Sequence, residues 1–158
     1  MPRPHSNISG LGGMCHERIR SMKSWYNGAP RRDCVFVGNS DSDEPGFAGL
    51  HVARILLFFS FNHAMVKYPC ALVHWFSTVG DTPCDETGMW MVEPDFIGRK
   101  RVLGVIHLDT ILRGAHLIGA AGPHFLPERD FDFSKSLDAF RTFYVNKFID
   151  HHAHEIAF

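Results

Sequence analysis

Tyr68, Trp75 and Trp90 fall on segments that read as neighbouring strands, and Gly98-Arg99-Lys100-Arg101 makes a basic turn close by. Aromatic faces hold a methylated ammonium or stack on a nucleobase, and guanidinium and ammonium groups pair with phosphate. Tyr68, Trp75, Trp90, Arg99, Lys100 and Arg101 are therefore the candidate binding residues. In extended backbone Tyr68 and Phe76 share one face while Trp75 points to the other, so register decides whether the rings converge. Packing in a core is the ordinary use of such rings. Cys70 and His74 share a face of one strand, and His107 and Asp109 share a face of another. They are the types a Cys–His–Asp nucleophilic set needs, although no spacing fixes their mutual distance. A buried thiol with hydrogen-bonded histidines is the plainer use. His151, His152 and His154 crowd beside Asp150 and Glu155, with His151–Glu155 and Asp150–His154 four apart. On a helix either pair could share a metal, and histidines near a helix C-terminus also favour the dipole.

No G-x-G-x-x-G, P-loop lysine or G-x-S-x-G occurs. The residues thus point to no catalytic set, no cofactor and no small-molecule substrate. Sixteen Lys and Arg stand against 17 Asp and Glu, a net charge of -1, which disfavours a wholly basic nucleic-acid binder. That balance averages opposed segments. Residues 1–32 hold six cations and one acid, while residues 33–98 hold two cations and nine acids. A local basic site therefore stays open.

The four cysteines (Cys15, Cys34, Cys70 and Cys84) form no C-x-x-C pair, which fits reduced thiols rather than a zinc site or disulfide framework. Ile55–Phe61 falls far short of the ~20 residues that span a bilayer, and no apolar targeting segment follows the start. The expectation is a protein with no membrane partner, inside the cell, and nuclear if it holds DNA or chromatin.

The elements that position these residues are mostly strands. Cys34–Val37, His51–Phe61, Tyr68–Phe76, Met89–Val92 and Val102–Leu108 are short apolar runs parted by turn residues. Thr110–Ile118 is ambiguous between strand and short helix. In a regular 51–61 strand Ala53, Ile55, Leu57, Phe59 and Phe61 face one way, with apolar Leu56 and Phe58 opposite, so both faces are covered. From Ser136, Leu137, Phe140, Phe143, Tyr144 and Phe148 follow a 3.6 period and predict a helix. The expected fold is α+β and mostly β. It is a small bent antiparallel sheet, or an SH3- or BAH-like barrel, closed by a C-terminal helix over 136–154. Residues 1–30 read as a basic, flexible or weakly helical arm, and residues 31–158 as one domain.

Three resemblances add to this. Arg31-Arg32-Asp33-Cys34-Val35-Phe36-Val37, Tyr68–Phe76, Gly88-Met89-Trp90, Val105–Ile111 and Phe143–His152 resemble the C-terminal region of proteins encoded by transposable elements of mushroom-forming fungi, the Plavaka-type and related elements. The likeness spans about four-fifths of the chain and leaves out residues 1–30. It implies a non-catalytic piece that binds DNA, chromatin or a partner chain, with the transposase core outside it. Val52-Ala53-Arg54-Ile55 followed by Ala71–Phe76 is similar in strand order to chromatin-associated BAH-type barrels. Asp150-His151-His152 resembles the motif of the DHH phosphoesterases. It implies, as the alternative, a metal-dependent phosphoesterase or nuclease fragment in which Asp41, Asp43 and Asp109 join those three residues around metal ions. In that family the motif follows a strand, whereas here the pattern before it is helical.

Overall fold

The computed structural model describes residues 17–38, 46–122, 132–149 and 153–154. Alternating apolar side chains build an antiparallel sheet of eight strands. Its members are β3 (Cys34–Gly38), β4 (Leu50–His63), β5 (Val66–Thr78), β6 (Met91–Pro94), β9 (Leu103–His107), β10 (Ile111–Ala115), β11 (Leu117–Gly119) and β12 (Phe143–Val145). Two small ribbons stand off it, β1 (Ser21–Met22) with β2 (Arg31–Arg32), and β7 (Phe96–Ile97) with β8 (Lys100–Arg101). The order across the main sheet is β10-β3-β4-β5-β6-β12-β11, with β9 on the far half of β5. The two ends of that order, β10 and β11, are consecutive in the chain and parted only by His116. One strand thus starts on β3 and finishes on β12, bending the sheet into a nearly closed barrel. The fold is mostly β with a barrel-like sheet, as the alternation implies.

Both faces of the central strands are covered where they run through the barrel. Phe36, Val52, Phe76, Val92, Phe143 and Val145 fill the barrel interior. Val35, Val37, Ala53, Ile55, Val73 and Ile106 alternate with them and form a second core outside, against Ile19 and Leu108. Each such Val, Ile or Phe side chain contributes roughly 1.5–3 kcal/mol by leaving water.

Two sequence expectations are corrected and one open reading is resolved. The helix over 136–154 is not formed: α1 (Ser136–Ala139) has four residues and gives way to β12, although Ala153 and His154 are again helical. Phe143 and Val145 sit two apart and fully buried, pairing with β6 and β11, so a period of two wins over the overlapping period of 3.6. The regular facing of residues 51–61 also fails. Ile55 lies opposite Val73 but Leu57 lies opposite Leu72, so Leu56 is the extra residue of a β-bulge. Past it, Leu57, Phe59 and Phe61 turn to the barrel-interior face. The ambiguous Thr110–Ile118 segment is strand from Ile111 on, split at His116 into β10 and β11, with Thr110 ending a 3-10 turn.

The β4–β5 reversal is at Ala64-Met65, with φ 47° and 64°, a left-handed pair that His63 and Val66 flank in register. Pro69 is tolerated inside β5. The Trp75 N–H points toward Val102, so every second residue back to 69 faces the β9 side, and β9 pairing stops opposite Cys70. No ladder donor is missing there.

Candidate nucleic-acid interface

The cations of the N-terminal arm are carried on an extended ribbon, not a helix. Tyr26-Asn27 supplies the tight reversal, with φ 49° and 61°, and Gly28 N–H donates to the Trp25 carbonyl at 2.9 Å. Ser21 pairs with Arg32 and Met22 with Arg31. The ribbon is docked on the barrel. Ile19 packs on the outer core, Ser21 Oγ donates to the carbonyl of the bulged Leu56 at 2.6 Å, and Glu17 accepts from Gly114 N–H at 2.8 Å. The described part of the arm, residues 17–30, is thus an extended segment docked on the barrel.

Asp33 ties the base of the ribbon together, taking the Arg20 N–H and the Arg31 Nε–H at 2.8 Å each. Two guanidiniums then flank one ring: Arg20 lies 4.9 Å and Arg31 4.8 Å from the Trp25 centroid. Cation–π attraction holds both arginines against an aromatic surface. Tyr26 meets Trp25 edge-on at 4.6 Å and is 87% exposed at the tip. Over residues 17–32 five Lys and Arg face the single acid Glu17. Arg18, Lys23 and Arg32 have no acidic partner among the described residues.

The residues singled out from the sequence do not converge. Tyr68 stacks on Phe61 at 5.2 Å on the far half of the β4–β5 hairpin. Trp75 packs on the outer core, its indole over Gly104, where a β-carbon would collide with it. Trp90 stacks on Phe47 at 5.1 Å and packs against the barrel interior instead. The three rings make no aromatic cage. Gly98 (φ 62°) and Arg99 form the β7–β8 turn, where Arg99 and Lys100 are exposed. Arg101 turns inward, donating to the Leu137 carbonyl at 2.7 Å and to Asp138 at 3.3 Å. Desolvation lowers its pKa, offset in part by Asp138. Buried Arg54 reaches the same Asp138 oxygen at 2.8 Å, so one carboxylate serves two guanidiniums where α1 lies over the end of the barrel. Beside them Arg99 and Arg141 join Glu93, Asp95 and Asp138 around an open cleft of about 1100 Å³.

Register does place Cys70 opposite His107, with Asp109 nearby. A nucleophilic set needs His Nδ1–H aimed at the carboxylate and Nε2 free to take the thiol proton. Here His107 Nδ1 lies 3.3 Å from the Asp109 backbone nitrogen and 3.4 Å from Asp109 Oδ2, a local contact within one turn, and Cys70 is buried. No Cys70–His107 hydrogen bond is present among the described residues. Asp41, Asp43, Asp150, His151 and His152 lie outside the described residues, and the described ones hold no cluster of three or more metal-ligating side chains. No described helix is long and apolar enough to cross a membrane.

The ribbon was not singled out as a site from the sequence. Its basic residues on both sides of Trp25-Tyr26 were visible, but Asn27-Gly28 as a hairpin signal would centre the turn one residue late, since Tyr26-Asn27 makes the reversal. Comparison with known protein families, curated proteins and solved structures finds no match for this chain.

Proposed function

We propose that this protein is a non-catalytic binding module that holds nucleic acid through the β1–β2 ribbon. The observation that carries the reading is the ribbon itself. It bears five cations, an arginine-flanked Trp25 and an exposed Tyr26, fixed to a barrel by Ile19, Ser21 and Glu17. A two-stranded ribbon is of a size that the DNA major groove admits, and exposed rings between cations stack on unpaired bases. The resemblance to transposon-encoded proteins of mushroom-forming fungi favours DNA, free or in chromatin, as the partner, and with it a nuclear location. Arg99 and Lys100 on the β7–β8 turn are a second, smaller basic contact.

Fluorescence anisotropy with a labelled duplex and a labelled single strand, titrated at several salt concentrations, tests this. Binding falls with salt, and the triple variant Arg18→Ala, Lys23→Ala, Arg32→Ala reduces the log–log salt slope on duplex by roughly 2–3. Tyr26→Ala weakens single-strand binding by about 1–3 kcal/mol and leaves duplex binding nearly unchanged. A folded sample that binds neither probe at low salt refutes the reading, and a histone tail bound in their place would move the partner to chromatin protein.

A further inference from the structure

The interior face of the sheet continues after the barrel ends. The row Arg54–His74–Leu103 lies at that end, with Asp138 on Arg54. Past it β4, β5 and β9 run on as three strands. The bulge at Leu56 aligns Leu57 with Leu72 and Val105 in the next row, and Phe61 with Tyr68 two rows further. Along this face Leu57 is 53% exposed, Phe61 48%, Val66 51%, Leu103 56% and Val105 60%. Single apolar residues on a surface are ordinary, but a register-aligned block of them on one sheet face is not.

Two features of the block say what covers it. Past the Arg54–His74–Leu103 row, whose Arg54 is buried, every residue that β4, β5 and β9 turn to this face is apolar, aromatic, Cys or His, and no Lys, Arg, Asp or Glu is among them. Such a face cannot attract a phosphate backbone or select a charged peptide, yet it meets its own copy without repulsion, as a two-fold interface requires. The area is also of the right order. Five side chains near half exposure supply roughly 500 Å² per copy, with Phe59, Tyr68 and Leu72 adding to it, against the ~800 Å² per partner of a standard interface.

We infer that a second copy of this chain covers this face, the two three-stranded β4–β5–β9 sheets packing face to face about a two-fold axis. Sheets packed this way lie ~10 Å apart and interdigitate their inner side chains. The interface is separate from the β1–β2 ribbon, so it holds whether or not that ribbon binds nucleic acid. The dimer also carries two ribbons, and two linked contacts to one polymer bind more tightly than either does singly.

Sedimentation velocity of the full chain over a range reaching about 100 µM tests the inference, this being a concentration that populates any dimer of micromolar affinity. The expected result is a dimer that becomes monomeric in the Leu57→Glu, Val105→Glu double variant with its circular dichroism unchanged. Leu112→Glu, at an exposed apolar residue on β10 outside the face, stays dimeric. Hydrogen exchange of the unaltered protein gives a second readout independent of any variant's folding. Protection of residues 57–61 and 103–105 rises with protein concentration while that of β1–β2 does not. A wild-type chain that is monomeric throughout overturns the inference, as does a dimer that survives the double variant or dissolves equally in Leu112→Glu.

Discussion

Buried charge at the end of the barrel shows how single residues set the conditions under which this fold is stable. Arg54 Nε, Arg101 Nη1 and His74 Nδ1 are buried without a protein partner among the described residues, and Asp138 is the acid that both arginines share. His74 sits in this positive surrounding, paired in register with Arg54. Desolvation first, then Arg101 and Arg54, hold its pKa below the ordinary 6.5, while Asp138 opposes them. A histidine whose folded pKa is lowered stabilises the fold above its unfolded pKa and loses that contribution as pH falls below it. Urea unfolding at pH 7 and pH 5 is therefore expected to show lower stability at pH 5, with a shallower fall in His74→Leu. An equal fall in both proteins assigns the acid sensitivity to other histidines. Asp138→Asn would not serve as the test, because it leaves two buried guanidiniums without their acid and confounds charge with folding.

At the level of elements, the β4–β5 hairpin offers a direct test of turn chemistry. Ala64 and Met65 both carry positive φ, which β-carbons disfavour and Asn-Gly accommodates. Replacing Ala64-Met65 with Asn-Gly is expected to stabilise the protein by about 1 kcal/mol, read as a higher urea midpoint at unchanged slope. A lower midpoint would mean that the turn is not left-handed. This hairpin also marks where the sequence was legible. Strands β3, β4, β5 and β9 were readable because their apolar runs are bounded by turn residues, but the coverage of both faces expected over 51–61 holds only for Val52–Ile55, since Leu57, Phe58 and Phe61 past the bulge are exposed. The bulge was not readable, since one extra residue leaves no mark in an apolar run and yet re-faces everything after it. The C-terminal segment misled because Leu137, Phe140 and Phe143 satisfy a helical period, while the decisive fact, Phe143 and Val145 pairing with β6 and β11, lies in strands distant in the chain. The candidate site was legible only as charge. Arm cations were visible, but their arrangement around Trp25 depends on Asp33 holding Arg20 and Arg31, a contact across thirteen residues.

The whole molecule is tied together by alternation within shared strands. On β3, Phe36 points into the barrel while Val35 and Val37 point to the outer core; on β4, Val52 and Ala53 divide likewise. Neither core can lose its packing while the other keeps these strands in register, because both use the same backbone and the same hydrogen bonds to β5. The barrel seam adds to this, since β10 and β11 carry the chain from β3 to β12 through His116. The two cores are therefore expected to unfold as one unit, although they lie on opposite faces. Trp90 reports on the interior core and Trp75 on the outer one. Variants that keep only one of these two tryptophans, with Trp25 replaced by Phe in both, should give superimposable urea transitions once each is normalised to its own stability. Phe143→Ala, which removes a buried ring set edge-on to Phe76 and Phe140 from the interior core, should lower both transitions by about 3–5 kcal/mol. A loss confined to the Trp90 signal would show that the outer core holds β3, β4 and β5 together without the barrel.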